Sequence, residues 1–473
     1  MTLTAGNLLG FVPELWLLAG ALVILGLTAL RPSRSGRAPT VIALVALLGS
    51  LVALGTQLRT PLNILNGAFV LDGFAALLDA VLLAAAGVVL LVSLQDRGPA
   101  DRAPAFVLLA TGGGLLLVSA ADLLAFFAAL QLLTVSTTIA VGLWSAHRRA
   151  AVGPLVVQLA GSAALAYGLA VAYGLTGETS FLGVGRVLAT RAASDPPALL
   201  VLVLVVGGAS FGLGAAAFGW LTESHEDDGG ALRALAAALL LVAGFGSLQR
   251  LVSVILVGTA IPWPAVLAVL GAVVMTGGTI GALGERQLAR ALAYAAVGQI
   301  GFILAGLATG RPAGVAGVGL LLVGTAPAVL AAAISIGWFA RLTGATALGD
   351  FAGMMRRAPF PALVLALGAS SLAGLPPLMG FFGRFLILVA AVESGYTWLG
   401  LLGLLNLLLL GGWAIRVVRL VALEGSPTEA PEPAPDWPAR VALGAASAGV
   451  AVLVFLLSPI ANAAATVAQP LPK

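Results

Sequence analysis

The chain is 473 residues long, 60% hydrophobic and 9% charged, with a formal net charge of +4, against roughly 25% charged residues in a soluble domain. That composition excludes a water-soluble globular protein and places the chain in lipid. The absence of cysteine excludes thiol catalysis, disulfides and Cys-ligated iron–sulfur clusters.

Apolar stretches of about 20 residues, each able to cross a hydrocarbon core roughly 30 Å thick, recur from end to end. In lipid they have to be helices, because no water is there to satisfy backbone N–H and C=O groups. Glycine, proline and charge clusters bound fourteen of them, near 10–30, 39–56, 70–94, 104–119, 121–144, 152–174, 197–221, 230–257, 263–284, 290–309, 312–339, 358–389, 396–422 and 438–467. The opening stretch has no basic leader region and no small-residue cleavage motif before soluble sequence, so it reads as a retained helix. Two long polar segments remain, 222–230 and 424–439. In the first, Glu223, His225, Glu226, Asp227 and Asp228 read either as a metal cluster or as a solvated acidic loop; the second is Pro- and Glu-rich and reads as a flexible loop.

The arginines are ordered. Loops after odd-numbered helices hold Arg31, Arg34, Arg37, Arg97, Arg102, Arg148, Arg149, Arg233, Arg286, Arg290, Arg341, Arg356, Arg357, Arg416, Arg419 and Arg440, 16 of the 23 Lys and Arg. Even loops hold Arg59, Arg186, Arg191, Arg250 and Arg311, and Arg384 falls within a helix. By the positive-inside rule both termini are expected on the non-cytoplasmic side. The positive charge is thus a topology signal, and no nucleic-acid partner is expected. His147 and His225 fall in predicted loops, and no P-loop or strand-linked G-x-G-x-x-G is present, so no haem, metal or nucleotide site is expected.

Two segments interrupt the helical pattern. Phe211-Gly212-Leu213-Gly214 runs to Gly219 in the seventh predicted helix, and Gly374-Leu375-Pro376-Pro377 runs to Gly380 and Gly383 in the twelfth. Gly- or Pro-rich interruptions in two halves of a membrane protein point to discontinuous helices and an internal repeat. Glycine is common in this chain, with 61 copies, which weakens the first signal. Pro376 and Pro377 remove two N–H donors at membrane depth, which strengthens the second.

Several stretches, in order, carry a family resemblance: Pro13-Glu14, Asp122-Leu123-Leu124, Tyr167-Gly168, Tyr173-Gly174, Thr176-Gly177, Arg290-Ala291-Leu292-Ala293-Tyr294, Asp350-Phe351-Ala352-Gly353, Arg356-Arg357-Ala358-Pro359, and SLAGLPPLMGFFGRF at 371–385. With these the chain resembles the antiporter-like membrane subunits of respiratory complex I, and subunit N most closely. The resemblance implies a single all-α polytopic membrane domain of about fourteen helices. Helices one to three (10–94) would precede two inverted five-helix repeats (104–257 and 263–422) with broken helices seven and twelve, and a C-terminal helix (438–467) would follow. It further implies no cofactor in this chain, other membrane-arm subunits and the lipid bilayer as partners, and the inner membrane of a prokaryote as location.

In that family a buried Glu and several Lys form a polar axis along the membrane midplane. Carried over residue by residue, the family's helix-five Glu falls on Gln131, its helix-seven Lys on Gly212, its helix-eight Lys on Leu241 and a helix-ten His on Gln299. Further Lys positions fall on Gly153 and Ala289, and a His on Gly219; helix twelve alone keeps a charge, Arg384. The only lysine is Lys473, so a bias towards Arg codons accounts for Arg384 but not for Gly212, Leu241, Gly153 or Ala289, where the charge is gone. Gln131 keeps the shape of Glu without its proton. Arginine stays protonated, with a pKa above about 12, so Arg384 can set a field or order water but is a poor carrier for a hopping proton.

Other polar residues have structural readings. Glu14, Asp72 and Asp122 lie at helix starts, where the dipole favours carboxylates; Asp79 lies deeper and is expected to be shielded by a partner subunit. Glu178 and Glu393 read as loop residues, and Trp16, Trp263, Trp398 and Trp413 as interfacial belt. Three functions follow: a membrane-arm subunit of a proton-translocating NADH:quinone oxidoreductase with its own channel weakened or lost, a working translocator using Arg384 and water, or a subunit of a multisubunit cation/proton antiporter. Gln131, Gly212 and Leu241 weigh against the last two.

Overall fold

The computed structural model describes residues 10–30, 37–57, 62–94, 101–144, 152–222, 230–425 and 435–466. The acidic run from Glu223 to Asp228, with His225, lies outside them, as do His147, Arg148, Arg149 and Lys473. The described chain is almost entirely helical. Three helices lead: α1 (Val12–Leu30), α2 (Ala38–Gln57) and α3 (Gly73–Ser93). They are followed by α4 (Ala103–Ser119), α5 (Leu123–Trp144), α6 (Val152–Thr176), the short α7 (Phe181–Leu188), α8 (Pro196–Thr222) and α9 (Gly230–Leu256). Then come α10 (Trp263–Gly284), α11 (Leu288–Ala308), α12 (Pro312–Thr343), the single turn α13 (Met354–Arg357), α14 (Pro359–Ala373), α15 (Met379–Glu393), α16 (Thr397–Leu423) and α17 (Trp437–Ala465).

Among the described residues twelve helices are long and apolar enough to cross a membrane, and α4 and α14 are shorter apolar helices. The protein is a polytopic all-α membrane protein. Burial is uneven: α9 is buried all round, α11 and α12 nearly so, while α1, α2, α6, α10 and α16 keep an apolar face outward. A helix apolar on every side belongs at the centre of such a bundle. Trp263 and Trp413 are buried in it, and of the four tryptophans assigned to the belt only Trp16 and Trp398 are half-exposed.

One element escaped the sequence reading. Strand β1 (Leu62–Ile64) pairs antiparallel with β2 (Phe69–Leu71), placing Leu62 opposite Leu71. The turn puts Leu65, Asn66 and Gly67 at positive φ, a conformation that Asn and Gly adopt most readily.

Backbone contacts order the connections into two faces. On one, Ala121 N–H donates to Ala68 O at 2.9 Å and Leu123 N–H to Thr179 O at 2.8 Å. On the opposite face, Leu348 N–H donates to Arg286 O at 2.7 Å and Gly353 N–H to Leu420 O at 3.0 Å. There Glu285 Oε1 accepts from the amides of Arg286 and Gln287 at 2.7 and 3.1 Å, which holds its carboxyl below the usual range.

Candidate functional site

The polar centre of the bundle is built by the break between α14 and α15. Helix α14 ends on Gly374 at φ +78 in the left-handed region, the usual glycine stop. Its amide donates to Ser371 O at 3.0 Å and that of Leu375 to Ser370 O at 2.9 Å. Leu372 O has no such donor, because a continuing helix would pair it with the N–H of residue 376, and Pro376 has none. Pro376 and Pro377, joined by a cis bond, thus leave a bare carbonyl inside the membrane.

Two side chains reach it. Gln299 of α11 donates Nε2 to Leu372 O at 2.5 Å, and Arg384 of α15 donates Nη2 to the same oxygen. Gln299 is 1% and Arg384 0% exposed. The guanidinium also lies over the Phe302 ring, 4.8 Å from its centroid. Among the described residues no carboxylate pairs with Arg384, and its Nε and Nη1, like Gln299 Oε1, have no hydrogen-bond partner. Glycines make room for this: a Cβ at Gly374 would meet Arg384 Nη1, and Gly383 lets α15 lie against Gly317 O and Leu321 N of α12, about 2.9 Å from where its Cβ would be.

The other sequence-derived positions stand apart from this pair. Gln131 is half-buried on α5 and its Oε1 accepts from Thr134 Oγ1 at 3.3 Å. Leu241 is buried in a π-helical turn of α9, Leu240–Gly244. Gly212 and Gly214 do not break their helix: both lie within the regular stretch Gly208–Thr222, and the departure from α geometry is a π turn upstream, Val203–Gly207. The glycines serve packing. A Cβ on Gly212 would stand 3.1 Å from Gly161 Cα of α6, and one on Gly161 would meet Gly208 O at 2.8 Å.

A cavity of about 150 Å³ opens near the 285–288 and 343–354 connections, with Ser93, Trp144, Trp220, Arg233, Gln287 and Arg341 in its wall. Among the described residues no carboxylate lines it.

Sequence reasoning missed a second buried arginine. Arg250 of α9 is 0% exposed and grips Asp72 with two bonds, Nη1 to Oδ2 and Nη2 to Oδ1, both 2.8 Å. Its Nε donates to Val118 O at 3.0 Å. Asp72 also caps α3 by accepting from Ala75 N at 2.8 Å. Asp122 caps α5 in the same way, accepting from Leu124 N at 2.9 Å.

A many-spanning helical bundle whose buried polar groups meet where a helix is interrupted is an arrangement that many transporters share. The transmembrane family described as NADH:quinone oxidoreductase/Mrp antiporter matches residues 120–409, and the chain belongs to it. It is 29% identical over 480 residues to NADH-quinone oxidoreductase subunit N of Methylobacterium nodulans, covering 97% of each chain. It is 31% identical over 443 residues to subunit N 2 of Roseiflexus castenholzii, covering 89% of this chain and 88% of that one. In fold it is similar to a chain of respiratory complex I from Thermus thermophilus, at TM-score 0.76 and 23% identity over 95% of this chain and 98% of that one. It is also similar to a chain of the Mrp complex from Dietzia sp., at TM-score 0.80 and 21% identity over 99% and 98%.

Proposed function

We propose that the chain is a membrane-arm subunit, of the subunit N type, in a proton-translocating NADH:quinone oxidoreductase, and that its own midplane proton path is degenerate. The full-length similarity to two subunits N supports the first part. One observation carries the second: the polar pair at the helix break, Arg384 and Gln299, contains no group that can release a proton near neutrality. The positions that would complete an axis are a glutamine, a glycine in a tight crossing and a leucine in an apolar turn. Fourteen spans follow if α4 counts as one and α14 and α15 as the halves of another. The π turn in α8 and the break after α14 support a pair of related five-helix repeats. Redox chemistry then belongs to other subunits, and the chain sits in a prokaryotic inner membrane with both termini outside.

The test is the number of protons moved per electron from NADH to quinone, in vesicles holding the whole assembly with this chain as its sole subunit N. The expected ratio is lower than that of an assembly whose subunit N bears the buried lysines; an equal ratio overturns the proposal. Gly212→Lys is a poor restoring change, because its Cβ alone presses on Gly161. Leu241→Lys with Gln131→Glu is the better pair, and it should raise the ratio.

A further inference from the structure

Outside the region matched by the family, residues 120–409, α1 and α3 carry two carboxyls that the break site does not use. Asp79 is 1% exposed. It is enclosed by this chain itself, not left for a partner subunit to shield, and its Oδ1 has no hydrogen-bond partner. It lies seven residues beyond Asp72 on α3, two helical turns along the same face. Asp72 takes Arg250 for itself through two bonds, so Asp79 senses that arginine only at a distance, alongside the charges of Glu14 and Asp72.

Glu14 stands in the first turn of α1. The start of α1 is pinned to the hairpin that leads into α3 by Phe11, whose ring meets Phe69 of β2 edge-on at 5.4 Å. Gly10 closes against Ile64 and Leu71 of the hairpin. Glu14 Oε2 is buried without a partner, yet the residue as a whole is partly exposed. One carboxyl therefore reaches towards the membrane surface and the other is enclosed, with Coulombic coupling between them. Among the described residues the remaining neighbours add no charge nearby: α2, α4 and the end of α17 have no ionisable side chain against α3 there, and Arg233, Arg341 and the Arg440 of α17 sit at its far end with Val92 and Ser93.

Two carboxylates without counter-ions in a low-dielectric interior do not both stay charged. We propose that Asp79 and Glu14 form a proton-binding site in the N-terminal helices, with Asp79 holding the proton and Glu14 exchanging it with the membrane surface. The transfer is balanced: Glu14 loses an O–H proton, Asp79 gains one, and Glu14 is recharged from water. The bidentate Arg250–Asp72 pair keeps the arginine from quenching Asp79.

Infrared difference spectroscopy of the full chain in lipid vesicles tests this. The expected result is a protonated-carboxyl C=O band that shifts in D₂O and is lost in Asp79→Asn. In Glu14→Gln the band should persist while its H/D exchange slows by about tenfold or more, because the relay to the surface is cut. An unchanged band in Asp79→Asn, or exchange at the native rate in Glu14→Gln, overturns the proposal. Should Asp79→Asn fail to fold, the exchange rate of Glu14→Gln alone decides. The readout is independent of protons moved per electron, so this site and the degenerate path can fail separately.

Discussion

The two fully buried arginines among the described residues, Arg250 and Arg384, have opposite electrostatic settings, and the contrast predicts opposite mutational outcomes. Arg250 is charge-balanced by Asp72. Asp72→Asn leaves its guanidinium buried and uncompensated, which costs about 3–5 kcal/mol for such a pair; thermal unfolding in detergent should show a large fall in stability. Arg384 has a carbonyl and a ring face but no counter-charge. Replacing buried charges with packed apolar side chains of similar volume is often neutral or stabilising, by about 1–4 kcal/mol for a whole ion pair. Arg384→Met should therefore unfold at the native temperature or above it, since Gln299 still satisfies Leu372 O. A clear loss of stability in Arg384→Met would show that the guanidinium is compensated after all. The pairing of Arg250 was not legible in the sequence: its partner is 178 residues away, and only folding brings the start of α3 against α9. Gln299 and Arg384 were each legible, as a substituted and a retained polar position, but their shared carbonyl was not. That carbonyl becomes available only through the missing N–H of Pro376.

At the level of elements, helix positions followed hydropathy closely because lipid leaves the backbone no other choice. The stretch expected at 263–284 is Trp263–Gly284, and that at 312–339 extends only to Thr343. What hydropathy could not tell was whether a glycine bends a helix or lets another helix approach. Pro376 and Pro377 lie between α14 and α15, whereas Gly212 and Gly214 stay in regular helix and the crossing with Gly161 explains Gly212. Gly161→Ala should accordingly strain the α6–α8 contact, with an overpacking cost of about 1–3 kcal/mol. Gly374→Ala combines a left-handed backbone, costing about 1–2 kcal/mol for a residue with a Cβ, with a collision against Arg384. It should lower the unfolding temperature more than Arg384→Met does. If the two variants unfold alike, Gly374 does not position the guanidinium. The hairpin was missed because three-residue strands give too short an alternation to register, although Asn66-Gly67 is a turn signal in its own right.

For the whole molecule, the two faces defined by backbone contacts can be joined to the charge pattern. The connections near Ala68, Ala121 and Thr179 share one face, and those near Arg286, Thr346 and Leu420 share the other. The second face is the arginine-rich one in the odd-loop count, with Arg286, Arg290, Arg341, Arg356 and Arg357 around it. By the positive-inside rule this face is expected to meet the cytoplasm. A chain without cysteine permits a direct check. Glu178→Cys and Arg286→Cys place single thiols at exposed positions on opposite faces. In right-side-out vesicles a membrane-impermeant thiol reagent should label Glu178→Cys and spare Arg286→Cys until the membrane is opened. The reverse pattern would put the arginines outside, and with them the mouth of the cavity between Arg233 and Arg341. Glu14, Asp72 and Arg250 gather at the same end as Glu178, since β2 joins the start of α1 to that face through Phe69 and through its bridge to Ala120. The labelling pattern thus also decides from which side Glu14 takes its proton.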